Sequence, residues 1–395
     1  MTYRILFVIL LFPDPSQLNQ FEFFESRFDS NCTFQYNHVN SHTLKEFPTN
    51  CSSVCANILI DETSDVTEQE LTRAFKNMKI LYGYVHILRT NFENVHFLSA
   101  LEVLECERRS TKVLAWSSFE TKSYLEISFN EKMTEIGMVN FTNTSCDMML
   151  NITNLVKLNL PKLKNFYKPE PDSSSLEFYI FNGNKTFCMG IQEASNFLSN
   201  PDVSINWWHV PYCPILDPDS LIDGEKICQI ENFSLSSFDP SCIRVLGNVL
   251  IKSGDEEFVW KLENVTWIYG WFHVKMTNLT SIDFMTSLVF VGEFLGEEPN
   301  SIYILKNMYL TTAYFPSLMR VLSHVLISDN HKDLAVDPTL CFGKDFNKEF
   351  QFSFDEKFCE EVLYSGHIIG NEAVCRWNVV LLYLFYLTFF ELLIA

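Results

Sequence analysis

Positive charge is scarce in this chain. Its 395 residues include 29 lysines and arginines against 49 aspartates and glutamates, a formal net charge of −20. Binding a phosphate backbone relies on a Lys/Arg surplus that displaces counterions, so composition argues against a nucleic-acid partner. The acids are scattered rather than massed, which reads as a solvated surface and not as an acidic recognition patch. Catalytic signatures are missing too: there is no Gly-x-Ser-x-Gly, no glycine-rich phosphate loop and no His-Glu-x-x-His. No Cys-x-x-Cys spacing offers a zinc site, so the twelve cysteines read as disulfides. No enzymatic activity, metal or cofactor is expected.

What the chain does have is an internal repeat. "KNMKILYGYVHILRTN" at 76–91 returns as "ENVTWIYGWFHVKMTN" at 263–278. At this one offset Asn77 falls on Asn264, Tyr82 on Tyr269, Gly83 on Gly270, His86 on His273, Thr90 on Thr277 and Asn91 on Asn278. Phe97 and Phe284, then Leu101 and Leu288, continue the match without a gap. A chain of this length exceeds the size at which single cores stop growing, and the repeat puts one copy in each half.

The two ends point to the secretory pathway. Arg4 followed by an apolar run from Ile5 to Phe12 has the order of a signal sequence, expected to span 1–17. Nine Asn-x-Ser/Thr sequons begin at Asn31, Asn50, Asn140, Asn143, Asn151, Asn184, Asn232, Asn264 and Asn278. Together with an even cysteine number they predict an oxidised, glycosylated ectodomain. Residues 378–395 are apolar except for Asn378, Thr388 and Glu391, just long enough to cross a bilayer. Two readings stay open for this segment. It is a membrane helix starting beside Arg376 and Trp377, or a glycosylphosphatidylinositol signal cleaved near Ser365–His367 or Asn371–Ala373, which would discard Cys375. Secretion is the remaining alternative. In each case no cytoplasmic signalling tail is expected.

Short β-rich stretches recur at "NILID" (57), "YVHIL" (84), "KVLAW" (112), "LVKLNL" (155) and "EFYIF" (177), then at "NVLIK" (248), "WFHVK" (271), "IYIL" (302) and "HVLIS" (324). Spacings of roughly 20–30 residues suit a solenoid whose coils stack strand on strand. Thr67 and Glu70 form a capping box, Val66 can staple onto Leu71, and Leu71, Phe75 and Met78 line one helical face. Phe258, Leu262 and Val265 take the same offsets in the second copy. Gly83 and Gly270 suit a tight turn or close backbone approach between helix and strand.

An apolar strand, a capped helix, Tyr-Gly-x-x-x-[Ile/Val], Thr-Asn and Phe-Leu-x-x-Leu together resemble the receptor L domain, found in pairs in insulin- and epidermal-growth-factor-type receptors. The resemblance is to nematode proteins carrying two such domains and little else. It implies a mainly β fold with short helices: two tandem right-handed β-solenoids, similar in build to leucine-rich repeats. The expected bounds are 30–213 and 228–365, with a linker at 214–227 and a spacer at 366–377 before the terminal segment. The long cysteine-rich module of those receptors is missing, since residues 213–242 hold only Cys213, Cys228 and Cys242.

Repeating cysteine positions predict cap disulfides Cys32–Cys51, Cys228–Cys242, Cys188–Cys213 and Cys341–Cys359. Cys55 and Cys106 lack counterparts in the second copy and are expected to bond to each other, leaving Cys146 and Cys375 unassigned. His86 and His273 are expected on the outer sheet face. Asn91 and Asn278 stand where solenoid turns use asparagine to satisfy backbone groups, which for Asn278 conflicts with a glycan. The acids Asp355, Glu356, Glu360 and Glu361 read as a solvated stretch rather than a polysaccharide-cleaving site. Trp207 and Trp208 read as an aromatic plug rather than a sugar platform. The resulting expectation is a non-enzymatic decoy or co-receptor that binds a secreted peptide factor, of insulin type by resemblance, or a receptor ectodomain. The alternative is an adhesive or matrix-facing glycoprotein with no soluble ligand.

Overall fold

The structure, a computed structural model, describes residues 29–106, 124–167, 175–200, 203–207, 210–217, 219–292, 300–336 and 352–355. Its contacts divide the chain after Val210 into two units.

The first unit is a stack of coils. Each crosses one sheet in a short strand, turns a corner and crosses a second sheet. The first sheet stacks Thr33–Phe34, Ser53–Ala56, Ile80–Tyr82, Val103–Glu105, Asn143–Thr144 and Asn165–Phe166. The second stacks Ile58–Ile60, Val85–Leu88, Tyr124–Ser128, Asp147–Asn151, Leu176–Phe181 and Val203–Trp207. Every pairing in both is parallel, so neighbours in a sheet are successive coils. Alternation sets the core: Ile58, Val85, Leu125, Met148 and Phe178 form one inward column, and Ile60, Ile87, Ile127, Leu150 and Ile180 the next. Each such side chain contributes about 1.5–3 kcal/mol on burial.

Residues 155–160 depart from the expected strand. Leu155, Leu158 and Leu160 are buried, yet the segment makes only an isolated bridge, Lys157 to Glu135, because it rounds the far side of a coil. Residues 112–116 lie outside the described residues.

The helix Glu68–Phe75 has its full capping box. Thr67 Oγ1 accepts the Glu70 N–H (3.3 Å), and the Glu70 carboxylate accepts the Thr67 N–H (2.8 Å). Leu71, Ala74 and Phe75 face the core, with Phe75 edge-on to Phe47 at 4.7 Å. The second copy forms a 3₁₀ helix instead, Glu256–Leu262. Asp255 makes no side-chain cap there, and Phe258 is only half-buried while Leu262 and Val265 are buried. Without that cap the segment takes the tighter winding common in short connectors.

Both repeat glycines sit where coils approach closely. At Gly83 (φ +141°) a Cβ would stand 2.0 Å from the Ala56 carbonyl oxygen, and at Gly270 2.3 Å from that of Gly247. Only glycine lets the next coil come that near.

The second unit opens with a hairpin, Leu221–Ile222 against Glu225–Gln229, which takes up the second half of the expected linker 214–227. Its first sheet continues in parallel with Arg244–Leu246, Trp267–Tyr269, Phe290–Val291 and Arg320–Val321. Its second stacks Val249–Lys252, Phe272–Lys275, Asn300–Leu305, His324–Ser328 and Phe352–Phe354, also in parallel. A third, short sheet joins Ser281–Ile282, Thr312–Ala313 and Ala335–Val336. Both units are mainly β and built of stacked parallel coils.

Disulfides close the coils. Cys32–Cys51 and Cys228–Cys242 have Cα separations of 5.7 and 5.8 Å. Cys188 and Cys213 are each disulfide-bonded. Cys341 and Cys359 lie outside the described residues, as does Cys375. The expected Cys55–Cys106 bond does not form: Cys106 bonds Cys146 at a Cα separation of 5.0 Å, and Cys55 remains a buried thiol. Strand Ile80–Tyr82 runs between the strands leading to Cys55 and Cys106. Two strand spacings, about 9.6 Å, exceed what a disulfide can bridge.

The turn asparagines also differ from expectation. Asn91 and Asn278 are exposed, and the residue serving the turn comes from the next coil. The Asn130 carboxamide oxygen accepts the Thr90 N–H (2.7 Å) and hydroxyl (2.8 Å), while its nitrogen donates to the Ile87 carbonyl (2.8 Å). Asn307 does the same for Thr277 (2.9 and 2.8 Å) and Val274 (3.0 Å). Both are wholly buried.

Two outcomes follow from this geometry. Thr67→Ala should cost about 1 kcal/mol and speed amide exchange across 68–75 in the intact chain, leaving 256–262 unchanged. Asn130→Ala, which strands buried groups of Thr90 and Ile87, should lower stability by on the order of 3 kcal/mol in denaturant titrations. Asn91→Ala should stay within about 0.5 kcal/mol of the parent.

Candidate functional site

With inward positions of the second sheet in each unit committed to the core, the outward positions are available for other work. In the first unit one outward row runs Leu59, His86, Glu126, Met149 and Tyr179 across five strands. In the second the matching row is Leu250, His273, Tyr303, Leu326 and Ser353. His86 and His273 thus occupy the same outward place. Each stacks on the aromatic ring two residues before it: Tyr84–His86 at 4.5 Å between centroids, Trp271–His273 at 4.0 Å. His273 also meets Tyr303 edge-on at 5.4 Å.

These histidines are less open than an outer-face position suggests. His273 is 1% exposed, and the His86 Nε2 atom is buried without a hydrogen-bond partner. Loss of hydration lowers the His86 pKa to about 4, and burial likewise raises that of Tyr84. His86 is thus held neutral at ordinary pH, a half-buried ring stacked on Tyr84.

Strand ends add a second feature. Arg89, Phe129, Met276, Lys306, Asp329 and Asp355 leave their strands at φ between 45° and 59°, unusual for residues with side chains. In the first unit this edge borders a cavity of about 440 Å³ lined by Arg89, Thr90, Asn91, Phe129 and Glu131. Arg89 Nε donates to Glu62 (2.8 Å), and the Phe129 ring is 56% exposed. In the second unit the edge carries Met276, Met308 and Tyr309, each about 60% exposed.

Among the described residues one group has metal-type donors, Cys228, Asp239 and Cys242. Its sulfurs form a disulfide, and Asp239 accepts the Lys226 amine (2.7 Å). His38 and His42 stand four apart in sequence, but His38 Nε2 contacts Asp61 (3.1 Å) and Ser64 (3.2 Å), so it does not pair with His42 around a metal. Asp355 is exposed and accepts the Asp329 N–H (2.9 Å). Glu356, Glu360, Glu361 and Trp208 lie outside the described residues, and Trp207 ends the strand Val203–Trp207.

Of the sequon asparagines, Asn31, Asn50, Asn232, Asn264 and Asn278 are exposed. Asn278's exposure removes the conflict between turn and glycan. Asn140, Asn143, Asn151 and Asn184 are half-buried, and the Asn140 nitrogen is taken by the Ser99 carbonyl (2.9 Å). Sequence reasoning passed over the aromatic partners, although an aromatic-x-His triplet, Tyr84-Val85-His86 and Trp271-Phe272-His273, was visible in both copies. It also passed over Lys252 and Lys275, which only strand register brings side by side.

Burial of neutral His86 has a pH consequence. The folded pKa lies below the ordinary 6.5, so the unfolded chain binds a proton first and stability is lost as pH falls from about 6.5 to about 4. The loss should approach roughly 2–4 kcal/mol, and His86→Leu should flatten that part of a pH–stability profile measured by denaturant titration.

Among the described residues no helix is long and apolar enough to cross a membrane, and the segment 378–395 lies outside them. No curated protein matches the chain. The family model described as the receptor L domain matches it twice, at residues 50–151 and 241–350, one match in each solenoid. With more than half its length so matched, the chain belongs to the receptor L domain family and carries two copies of the domain.

Proposed function

We propose that the protein is a non-enzymatic extracellular binder, a decoy or co-receptor whose sheet faces take up a secreted peptide factor or another receptor's ectodomain. One observation carries this reading: both copies keep a stacked aromatic–histidine pair at the same outward position, with the Tyr84 and Trp271 rings half-exposed beside half-buried His86 and buried His273. Rigid aromatic surface on a preformed sheet is the kind of anchor that concentrates binding energy in protein recognition. The disulfides suit an oxidising compartment, and five exposed sequons suit glycosylation there. In this reading the amino-terminal segment directs secretion, the coils wind right-handed, and 378–395 attaches the protein to the cell surface as a helix or as a lipid-anchor signal.

A screen of the purified ectodomain against secreted insulin-like peptides tests the proposal. A saturable complex with a single peptide, weakened when Trp271 or Tyr84 is replaced by Ala, is the expected result. Aggregation of ectodomain-coated beads with no soluble ligand would instead identify an adhesive protein.

A further inference from the structure

We infer that the outer face of the second unit's sheet, where strands Val249–Lys252 and Phe272–Lys275 end, binds an acidic polypeptide segment that also carries apolar or aromatic side chains. The inference rests on the reading of the sheet faces as ligand sites and gives the second face its chemistry.

Lys252 and Lys275 are register partners on adjacent parallel strands, both on the outward side. Neighbouring strands lie about 4.8 Å apart, and like charges placed opposite one another repel. Among the described residues neither lysine side chain forms an ion pair that would offset that repulsion. The ion pairs of the described lysines involve Lys79, Lys157 and Lys226, and Lys252, Lys275 and the exposed Lys306 are not among them. Nearby acids are engaged by backbone amides. Asp255 accepts the Lys252 N–H (3.1 Å), and Glu256 accepts those of Gly254 and Asn278 (2.7 Å each). The Lys275 ammonium is instead held 4.6 Å from the Tyr303 ring centroid, which orients it on the face without neutralising it.

The repeat supplies an internal control. Lys252 ends "NVLIK" where Asp61 ends "NILID", and Lys275 ends "FHVK" where Leu88 ends "VHIL". The first unit builds the same two strands with neither lysine, so the fold does not call for them. In a chain of net charge −20, an unpaired lysine pair is a local reversal of sign, complementary to carboxylates. Exposed Met276, Met308 and Tyr309 border the face and offer apolar contact that a protein segment uses and a sulfated sugar does not.

The experiment uses the full-length protein from a secretory host and a poly(Glu,Tyr) copolymer as probe, with a heparin-derived oligosaccharide in parallel. Lys252→Glu with Lys275→Glu should weaken copolymer binding at least tenfold. Lys45→Glu with Lys132→Glu, the same charge change elsewhere, should alter it less than twofold. If the first pair fails to secrete, Lys252→Gln with Lys275→Gln should still weaken binding severalfold. Equal losses in the two pairs would overturn the inference. So would a dependence on Lys252 and Lys275 seen only with the oligosaccharide. Capture of a secreted peptide that is indifferent to both lysines would leave the sheet-face reading standing and defeat this inference alone.

Discussion

Stacking of successive coils turns on buried turn asparagines, Asn130 in the first domain and Asn307 in the second. A chain leaving a sheet through a left-handed residue carries its next N–H and the preceding carbonyl into the interior, away from water. Each such group left unmade costs about 1–3 kcal/mol. A carboxamide both donates and accepts, so an asparagine from the following coil satisfies Thr90 N–H and Ile87 C=O together, and Asn307 serves Thr277 and Val274 in the same way. This contact spans two coils, so it sets their separation as well as satisfying the turn. The Asn330 carboxamide extends the ladder, accepting the Asn307 N–H (3.0 Å) and donating to the Ile304 carbonyl (2.8 Å).

Once the coils are locked in register, the two faces of each outer sheet separate in role. Inward columns are interchangeable apolar rows, Ile58–Val85–Leu125 in one domain and Val249–Phe272–Ile302 in the other. Outward rows carry less of that packing, although His273 is buried against Trp271 and Tyr303. There the copies share the aromatic–histidine stack and then diverge, Asp61 and Leu88 against Lys252 and Lys275. Shared surface chemistry on a common scaffold, followed by divergence of charge, is what two non-identical contacts would need.

Much of the second sheet in each domain could be read directly, because "YVHIL", "EFYIF", "WFHVK" and "HVLIS" are five-residue runs rich in β-branched and aromatic residues. The first sheet could not, since strands such as Asn143–Thr144 and Asn165–Phe166 are two residues long and show no period. The helix at 68–75 was legible from its capping box, whereas its counterpart kept the apolar spacing, lost the cap and wound as a 3₁₀ helix. At the candidate faces, His86 and His273 were placed outward by alternation alone, but their stacking and burial were not, because those depend on what lies beside them across the sheet.

By itself the sequence determined that there are two copies of one coil-stacking domain, that Gly83 and Gly270 stand at matching places in them, and that Cys32 and Cys228 have partners within their own caps. All of these are local or repeat at a constant offset. Only the tertiary structure decided that Cys106 bonds Cys146 rather than Cys55, that Asn130 and Asn307 rather than Asn91 and Asn278 hold the turns, and that two lysines 23 residues apart stand side by side. Each is a contact between coils whose connecting loops differ in length. Sequence distance along such a loop says nothing about which strand comes to lie next to which, and register, set by the stacked hydrogen bonds, decides it.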